Sequence, residues 1–190
     1  MKKVLVGLTG ASCSLYGIRL VEELLDLGIE TSVVFTDNGY KVAKYELEKD
    51  KQYSKGDFFK DKDVLVEDNN NIFASCASGT NKVDALVILP CSMGTLGAIS
   101  SGLSVGLIQR VADVMLKEKG TLILCPREAP FSEIHLDNML RVSKAGGIIL
   151  PCSPGFYLKP NSIDDLVNFM VGKVLDMLNL EHNVCDRWNQ

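Results

Sequence analysis

Leu86-Val87-Ile88-Leu89-Pro90-Cys91-Ser92-Met93-Gly94-Thr95-Leu96-Gly97 is the stretch on which the reading of this sequence turns. An apolar run stops abruptly at a loop of small and hydroxylated residues, the pattern of a buried strand that delivers the chain to a sheet edge. There Ser92, Gly94 and Thr95 offer hydroxyls and unhindered N–H groups to an anion, and the helix expected next adds its positive N-terminal end. The same residues also read as a plain strand-turn-helix with a Ser or Thr cap.

The pattern repeats on both sides of this stretch. Val4 to Leu8 reads as a strand, and Leu15, Ile18, Val21 and Leu25 then recur at helical spacing until Gly28. Thr31 to Phe35 forms a second strand and Gly39 to Glu48 a second helix. Lys49 to Asp63 is charged and poorly patterned, a loop or a mobile flap, followed by a short strand at Val64 to Glu67 and a turn at Asn69 to Asn71. Ala85 to Leu89 is the central strand. Beyond it come a helix marked by Ile108, Val111, Ala112 and Met115, a strand at Leu122 to Cys125, a helix through Leu136, Met139 and Leu140, and a strand at Ile148 to Leu150. Ile163, Leu166, Met170, Val174 and Met177 define a last long helix, capped by Ser162 with Asp164 and Asp165 in its first turn. Apolar strands alternating with helices imply an α/β fold, a three-layer, doubly wound parallel sheet covered on both faces.

Bulk properties narrow the partners. A chain of 190 residues with 46% hydrophobic content supports one well-buried core, and no composition break divides residues 1–190. The net charge of -4 arises from interspersed acids and bases without a basic stripe, which argues against nucleic acid. The six cysteines, Cys13, Cys76, Cys91, Cys125, Cys152 and Cys185, form no CxxC pair and suit buried thiols in a reducing cytoplasm, not metal ligands or a disulfide framework. The opening Met1-Lys2-Lys3 superficially resembles a lipoprotein signal, but its apolar run is short and breaks at Thr9-Gly10; no run approaches a membrane span. The expectation is a soluble, cytoplasmic protein with no membrane partner.

A doubly wound sheet binds its ligand outside the carboxyl ends of its strands. In this chain those positions hold Thr9, Gly10, Ala11 and Ser12, then Thr36 and Asp37, then Ser92 to Thr95, then Arg127 and Glu128. Such residues favour a ligand with a phosphate and several polar groups, a nucleotide or a flavin. The GxGxxG fingerprint is absent from the first turn, Gly7-Leu8-Thr9-Gly10-Ala11-Ser12-Cys13, which disfavours NAD and suits a mononucleotide.

Thr9-Gly10-Ala11-Ser12, Leu89-Pro90-Cys91-Ser92-Met93-Gly94-Thr95-Leu96, Arg110-Val111-Ala112-Asp113-Val114-Met115-Leu116-Lys117-Glu118, Pro126-Arg127-Glu128-Ala129-Pro130-Phe131 and Pro154-Gly155-Phe156-Tyr157 together resemble the UbiX-type flavin prenyltransferases, flavoproteins of Rossmann-like fold. The likeness runs in order to the closing Arg187-Trp188, sparing only the segment around Lys49 to Val83. It implies transfer of a dimethylallyl group from dimethylallyl phosphate to N5 and C6 of reduced FMN, without a metal. The product would be prenylated FMN for a partner decarboxylase. The resemblance places the flavin on Gly10, Ala11, Ser12, Thr36, Ser92, Met93, Gly94, Thr95 and Arg127. Tyr157 and Lys173 would hold the prenyl phosphate, with Arg110, Lys117 and Glu128 in the same pocket, Glu46 near the reacting centre, and Trp188 as a further substrate contact. It further implies a homo-oligomer, a dodecamer, whose substrate site is shared between subunits.

That chemistry assigns roles. Cleaving the allylic C–O bond builds charge on phosphate, for which Lys117, Arg127 and Lys173 are the candidate cations. Tyr157 would donate to the phosphate, Glu128 would protonate it, and Glu46 would accept the flavin ring proton or tune the ring, beside Ser12. Without the resemblance, Glu46, Lys117 and Lys173 read as solvated helix residues, Arg127 and Glu128 as a surface pair, and Tyr157 and Trp188 as packing. The chain departs from the family at Cys13, commonly glycine, and Lys173, commonly arginine, which gives up a two-pronged grip. Rival readings are a flavin-dependent cysteine decarboxylase, of which a catalytic histidine after the first helix is expected and not found, and a non-catalytic FMN carrier. Neither His135 nor His182 fits a triad.

Overall fold

In the computed structural model, which describes residues 1–50, 52–59 and 62–187, the apolar runs assemble into one six-stranded sheet of order β3-β2-β1-β4-β5-β6. The strands are β1 (Lys3–Leu8), β2 (Glu30–Phe35), β3 (Leu65–Asp68), β4 (Ala85–Cys91), β5 (Thr121–Pro126) and β6 (Ile148–Ile149), and each neighbouring pair is parallel. The helices are α1 (Ser14–Asp26), α2 (Asp37–Glu46), α3 (Met93–Ser100), α4 (Leu107–Lys117), α5 (Glu133–Ala145) and α6 (Ile163–Met177).

Both faces of the central strands are buried, as period-two packing beneath two helix layers requires. Val4, Val6 and Leu8 of β1, with Ala85, Val87 and Leu89 of β4, pack on one side with Leu20, Val21 and Leu24 of α1 and Val171 and Val174 of α6. Leu5, Leu86 and Ile88 point to the other side, against Ile108, Val111 and Met115 of α4. Each such Val, Leu, Ile or Met side chain removes enough apolar area from water to contribute about 1.5–3 kcal/mol.

Local chemistry ends the elements. Gly28, at φ 71°, follows α1, and Gly146, at φ 105°, caps α5 in a conformation L side chains rarely adopt. Ser162 caps α6, its hydroxyl accepting Asp165 N–H at 3.1 Å, as the sequence indicates.

Several boundaries differ from expectation. The second helix begins at Asp37 because the Thr36 hydroxyl accepts Gly39 N–H at 3.0 Å; it ends at Glu46, and Glu48 has a positive φ of 52°. The central strand runs past Leu89 to Cys91, with its register to β5 shifting between Ile88 and Cys91 where Pro90 lacks a donor. Of the two readings of residues 49–63, the described part is an anchored loop. Its 3-10 turn Gly56–Phe59 buries Phe58 and Phe59, and Phe58 stacks on Phe35 with centroids 5.6 Å apart. Helix α5 turns Ile134, Leu136 and Leu140 toward solvent and buries Val142. None of the described helices is long and apolar enough to cross a membrane.

Candidate active site

The strand order reverses between β1 and β4, so the loops leaving these two strands diverge and open a crevice between them. Thr9 ties the two edges together. Its buried hydroxyl donates to Pro90 O at 2.9 Å and accepts Ser92 N–H at 2.7 Å, which fixes the start of α3 relative to the end of β1. Ser92 is the α3 N-cap, accepting Thr95 N–H at 3.3 Å while its hydroxyl donates to Thr95 Oγ1 at 3.1 Å. The cap reading of this loop is therefore realised, and it leaves the N–H groups of Met93 and Gly94 at helical positions that have no intrahelical acceptor. A Cβ built on Gly94 meets no atom within 4 Å, so open space lies directly above the helix end.

The first turn is shaped by close backbone approaches. A Cβ on Gly17 would stand 2.2 Å from Leu89 O, and one on Gly39 would stand 2.2 Å from Leu8 O. Only glycine lets α1 and α2 seat so directly on the strand ends. Gly10 lies against the same helix start, where a Cβ would come within 2.8 Å of Asn38 Cβ.

Cys13 precedes α1 in the left-handed region, at φ 82°, with no side-chain cap of its own. The missing cap comes from α2: Glu46 accepts Cys13 N–H at 3.0 Å and Ser14 N–H at 2.8 Å. Burial alone would raise the Glu46 carboxyl, but hydrogen bonds from the Ser12 hydroxyl and from the Ser14 and Cys13 backbone outweigh it and hold the group below its ordinary value. Glu46 is thus an ionised carboxylate in the first loop, beside Ser12.

Arg127 enters from the end of β5, its N–H bonded to Cys91 O at 3.3 Å. Its guanidinium acts on the Cys13 and Cys152 thiols, and its buried Nε has no hydrogen-bond partner among the described residues. Burial pushes the Cys152 thiol up to about 12, with Cys13 adding to the rise and Arg127 opposing it, so this part of the site holds neutral thiols. A buried guanidinium N–H unpartnered among the described residues, open helix N–H groups and the open space beside the exposed Gly94 together fit a phosphorylated flavin.

The remaining expected residues fall into separate groups. Glu128 is exposed, with Oε1 accepting Ala129 N–H at 3.0 Å. Tyr157 and Lys173 meet on Phe169: the Tyr157 ring packs edge-on at 5.6 Å, and Lys173 Nζ stands 5.9 Å from the ring centre. Arg110 bonds Ala77 O at 3.2 Å and Asp113 at 2.8 Å. Lys117 is the last residue of α4, 3.6 Å from Glu118 and just ahead of β5. In a parallel sheet this places it at the amino edge, away from Ser92 and Arg127 of the same chain. Trp188 lies outside the described residues. Among the described residues no group of His, Cys, Asp or Glu side chains converges as metal ligands would.

Thr9 and Asn69 carry more of the geometry than the sequence suggests. Asn69 accepts Leu107 N–H through its backbone at 2.7 Å and Ile108 N–H through Oδ1 at 3.2 Å, capping α4 from the loop after β3. The only sequence signal for either is its position directly after a strand.

The Flavoprotein family model matches residues 1–175. The flavin prenyltransferase UbiX of Alkalihalophilus pseudofirmus is 45% identical over 194 residues, covering 100% of this chain and 97% of its own. The chain belongs to the UbiX flavin prenyltransferase family. Within that family, the crystal structure of AnUbiX (PadA1) in complex with FMN and dimethylallyl pyrophosphate superposes with a TM-score of 0.92 at 41% identity, covering 100% of this chain and 98% of that one. The dodecameric FMN-dependent UbiX-like decarboxylase of Escherichia coli O157:H7 matches with a TM-score of 0.90 at 38% identity over 99% of this chain and 100% of its own. The doubly wound α/β fold expected from the order of strands and helices is thus the fold of the family, as the resemblance to Rossmann-like flavoproteins implies.

Proposed function

We propose that this protein is a flavin prenyltransferase that moves a dimethylallyl group from a dimethylallyl phosphate to N5 and C6 of reduced FMN. The product is prenylated FMN, destined for a partner decarboxylase. The observation that carries the reading is the buried, unpartnered Arg127 Nε beside the open N-terminus of α3, a seat for a flavin phosphate or flavin edge. The AnUbiX neighbour, which holds FMN and dimethylallyl pyrophosphate, supports the same pair of ligands.

Gly10, Ala11, Ser12, Thr36, Ser92, Met93, Gly94, Thr95 and Arg127 form the flavin seat in this reading. Reduced FMN, when bound, supplies the nucleophilic ring atoms. Tyr157 and Lys173 orient the donor phosphate from the Phe169 side, and Lys117, Arg110 and Arg127 offset the charge that grows on it as the allylic C–O bond breaks. Glu128 is solvent-exposed and can deliver a proton to the departing phosphate. Glu46 is held as the carboxylate, the form needed to accept the ring proton; its lowered pKa makes it an acceptor that releases the proton readily.

Lys117 cannot share the seat of its own chain, so its role belongs to a homo-oligomer in which another copy brings it there. The exposed Ile134, Leu136 and Leu140 on α5 support such an assembly, as does the dodecameric neighbour. Six free thiols support a reducing, cytoplasmic setting.

The decisive experiment is anaerobic incubation with reduced FMN and either dimethylallyl phosphate or dimethylallyl diphosphate. The expected result is release of phosphate or diphosphate and a flavin heavier by one prenyl unit in the mass spectrum. Bound but unchanged flavin with both donors would leave an FMN carrier and end the transferase reading.

A further inference from the structure

We propose that His135 is a positioning residue that holds the Arg127–Ser132 loop, whose first residue lines the flavin seat, and releases it on acidification. This rests on the reading of Arg127 as a flavin contact.

The loop joins β5 to α5 and is fixed at its two ends. At the strand end, Arg127 N–H bonds Cys91 O at 3.3 Å and Cys152 N–H bonds Pro126 O at 3.0 Å. At the helix end, Ser132 and His135 form a reciprocal pair: the Ser132 hydroxyl accepts His135 N–H at 3.3 Å, and His135 Nδ1 accepts Ser132 N–H at 3.2 Å. Between these anchors, Glu128 accepts the neighbouring Ala129 N–H.

A glutamate or glutamine commonly closes such a box, since each offers an acceptor oxygen over a wide pH range. Histidine closes it only while Nδ1 keeps its lone pair, which puts the proton of the neutral ring on Nε2. Protonation turns Nδ1 into a donor facing the Ser132 N–H, so the bond is lost, and it adds positive charge at a helix N-terminus.

The Ser100 hydroxyl of α3 meets Asn138 Oδ1 of α5 at 2.7 Å, and neither α3 nor β6, both packed on α5, carries a titratable side chain. The charged groups nearest in the chain are Glu133 and Asp137 on α5 itself and Arg127 and Glu128 in the loop, with Arg141 paired to Asp137 at 2.9 Å.

The test measures the dissociation constant of FMN, together with amide hydrogen exchange in residues 127–132, for wild type, His135→Gln and His135→Ala at about pH 5.5 and about pH 8. Wild type and His135→Gln are expected to bind equally at the higher pH. At the lower pH wild type is expected to fall about fivefold behind His135→Gln, the loss of one cap bond. Ionisation of the FMN phosphate affects both proteins alike and cancels in this ratio. His135→Ala is expected to bind about fivefold more weakly at both pH values, with faster exchange in the loop. A constant ratio between wild type and His135→Gln would overturn the inference, and that comparison decides alone if His135→Ala does not fold. If wild type binds no FMN, the flavin seat fails, while loop exchange in the same variants still judges His135.

Discussion

Glu46 Oε2 accepts the backbone N–H of Ser14 at 2.8 Å, so a carboxylate on the last turn of one helix caps the first turn of another. Glu46→Ala is expected to destabilise the fold by about 1–2 kcal/mol in urea unfolding, and Glu46→Gln by less, because the amide oxygen can still accept. Equal stability of all three proteins would remove the capping role.

The same contact makes stability depend on pH. The folded-state carboxyl lies below its ordinary value of 4.5. Its contribution is therefore complete above that value and is lost as the pH falls through the lowered folded value. Unfolding midpoints of wild type and Glu46→Gln should converge in acid.

Arg127→Met should separate binding from folding. It removes a buried N–H that has no partner among the described residues, so the flavin-free protein is expected to be as stable as wild type or more so. FMN affinity is expected to fall at least about tenfold in fluorescence titration.

Gly94→Ala makes the same separation by shape. The new methyl meets nothing within 4 Å, and alanine favours a helix over glycine by about 0.5–1 kcal/mol, so the melting temperature of the flavin-free protein should rise. Binding of FMN should weaken about tenfold if that volume is where the flavin lies. A rise in stability with unchanged affinity would place the cofactor elsewhere.

Cys13→Gly should stabilise the chain by about 0.5–1 kcal/mol. The left-handed backbone at φ 82° costs an L residue about 1–2 kcal/mol, partly offset by the greater freedom glycine loses on folding. Burial raises the Cys13 thiol, with Glu46 adding to the rise, so removal of this neutral group should leave prenyl transfer intact.

The alternation of strands and helices, and the caps at Ser92 and Ser162, were legible because they depend on neighbours within a turn. The cap that Glu46 supplies was not, since Cys13 and Ser14 are brought to it only by the packing of α1 against α2. Phe58 and Phe59 sit inside a charged segment, and their burial on Phe35 is a tertiary contact without a local period. Lys117 shows the opposite limit: its likeness to a family motif says nothing of which sheet edge it occupies, and the end of α4 puts it opposite the seat. Leu136 and Leu140 mark a helix by their spacing, but that spacing does not say which face is buried, and α5 turns them outward.

Gly17 and Gly39 let two helices rest directly on the carbonyls of Leu89 and Leu8. Backbone in such contact has no slack to rearrange when a ligand arrives, so the flavin meets a surface already in its bound shape. Association should then be a single encounter limited by orientation, with a heat-capacity change that reflects the buried flavin area alone and no contribution from chain ordering around the first turn.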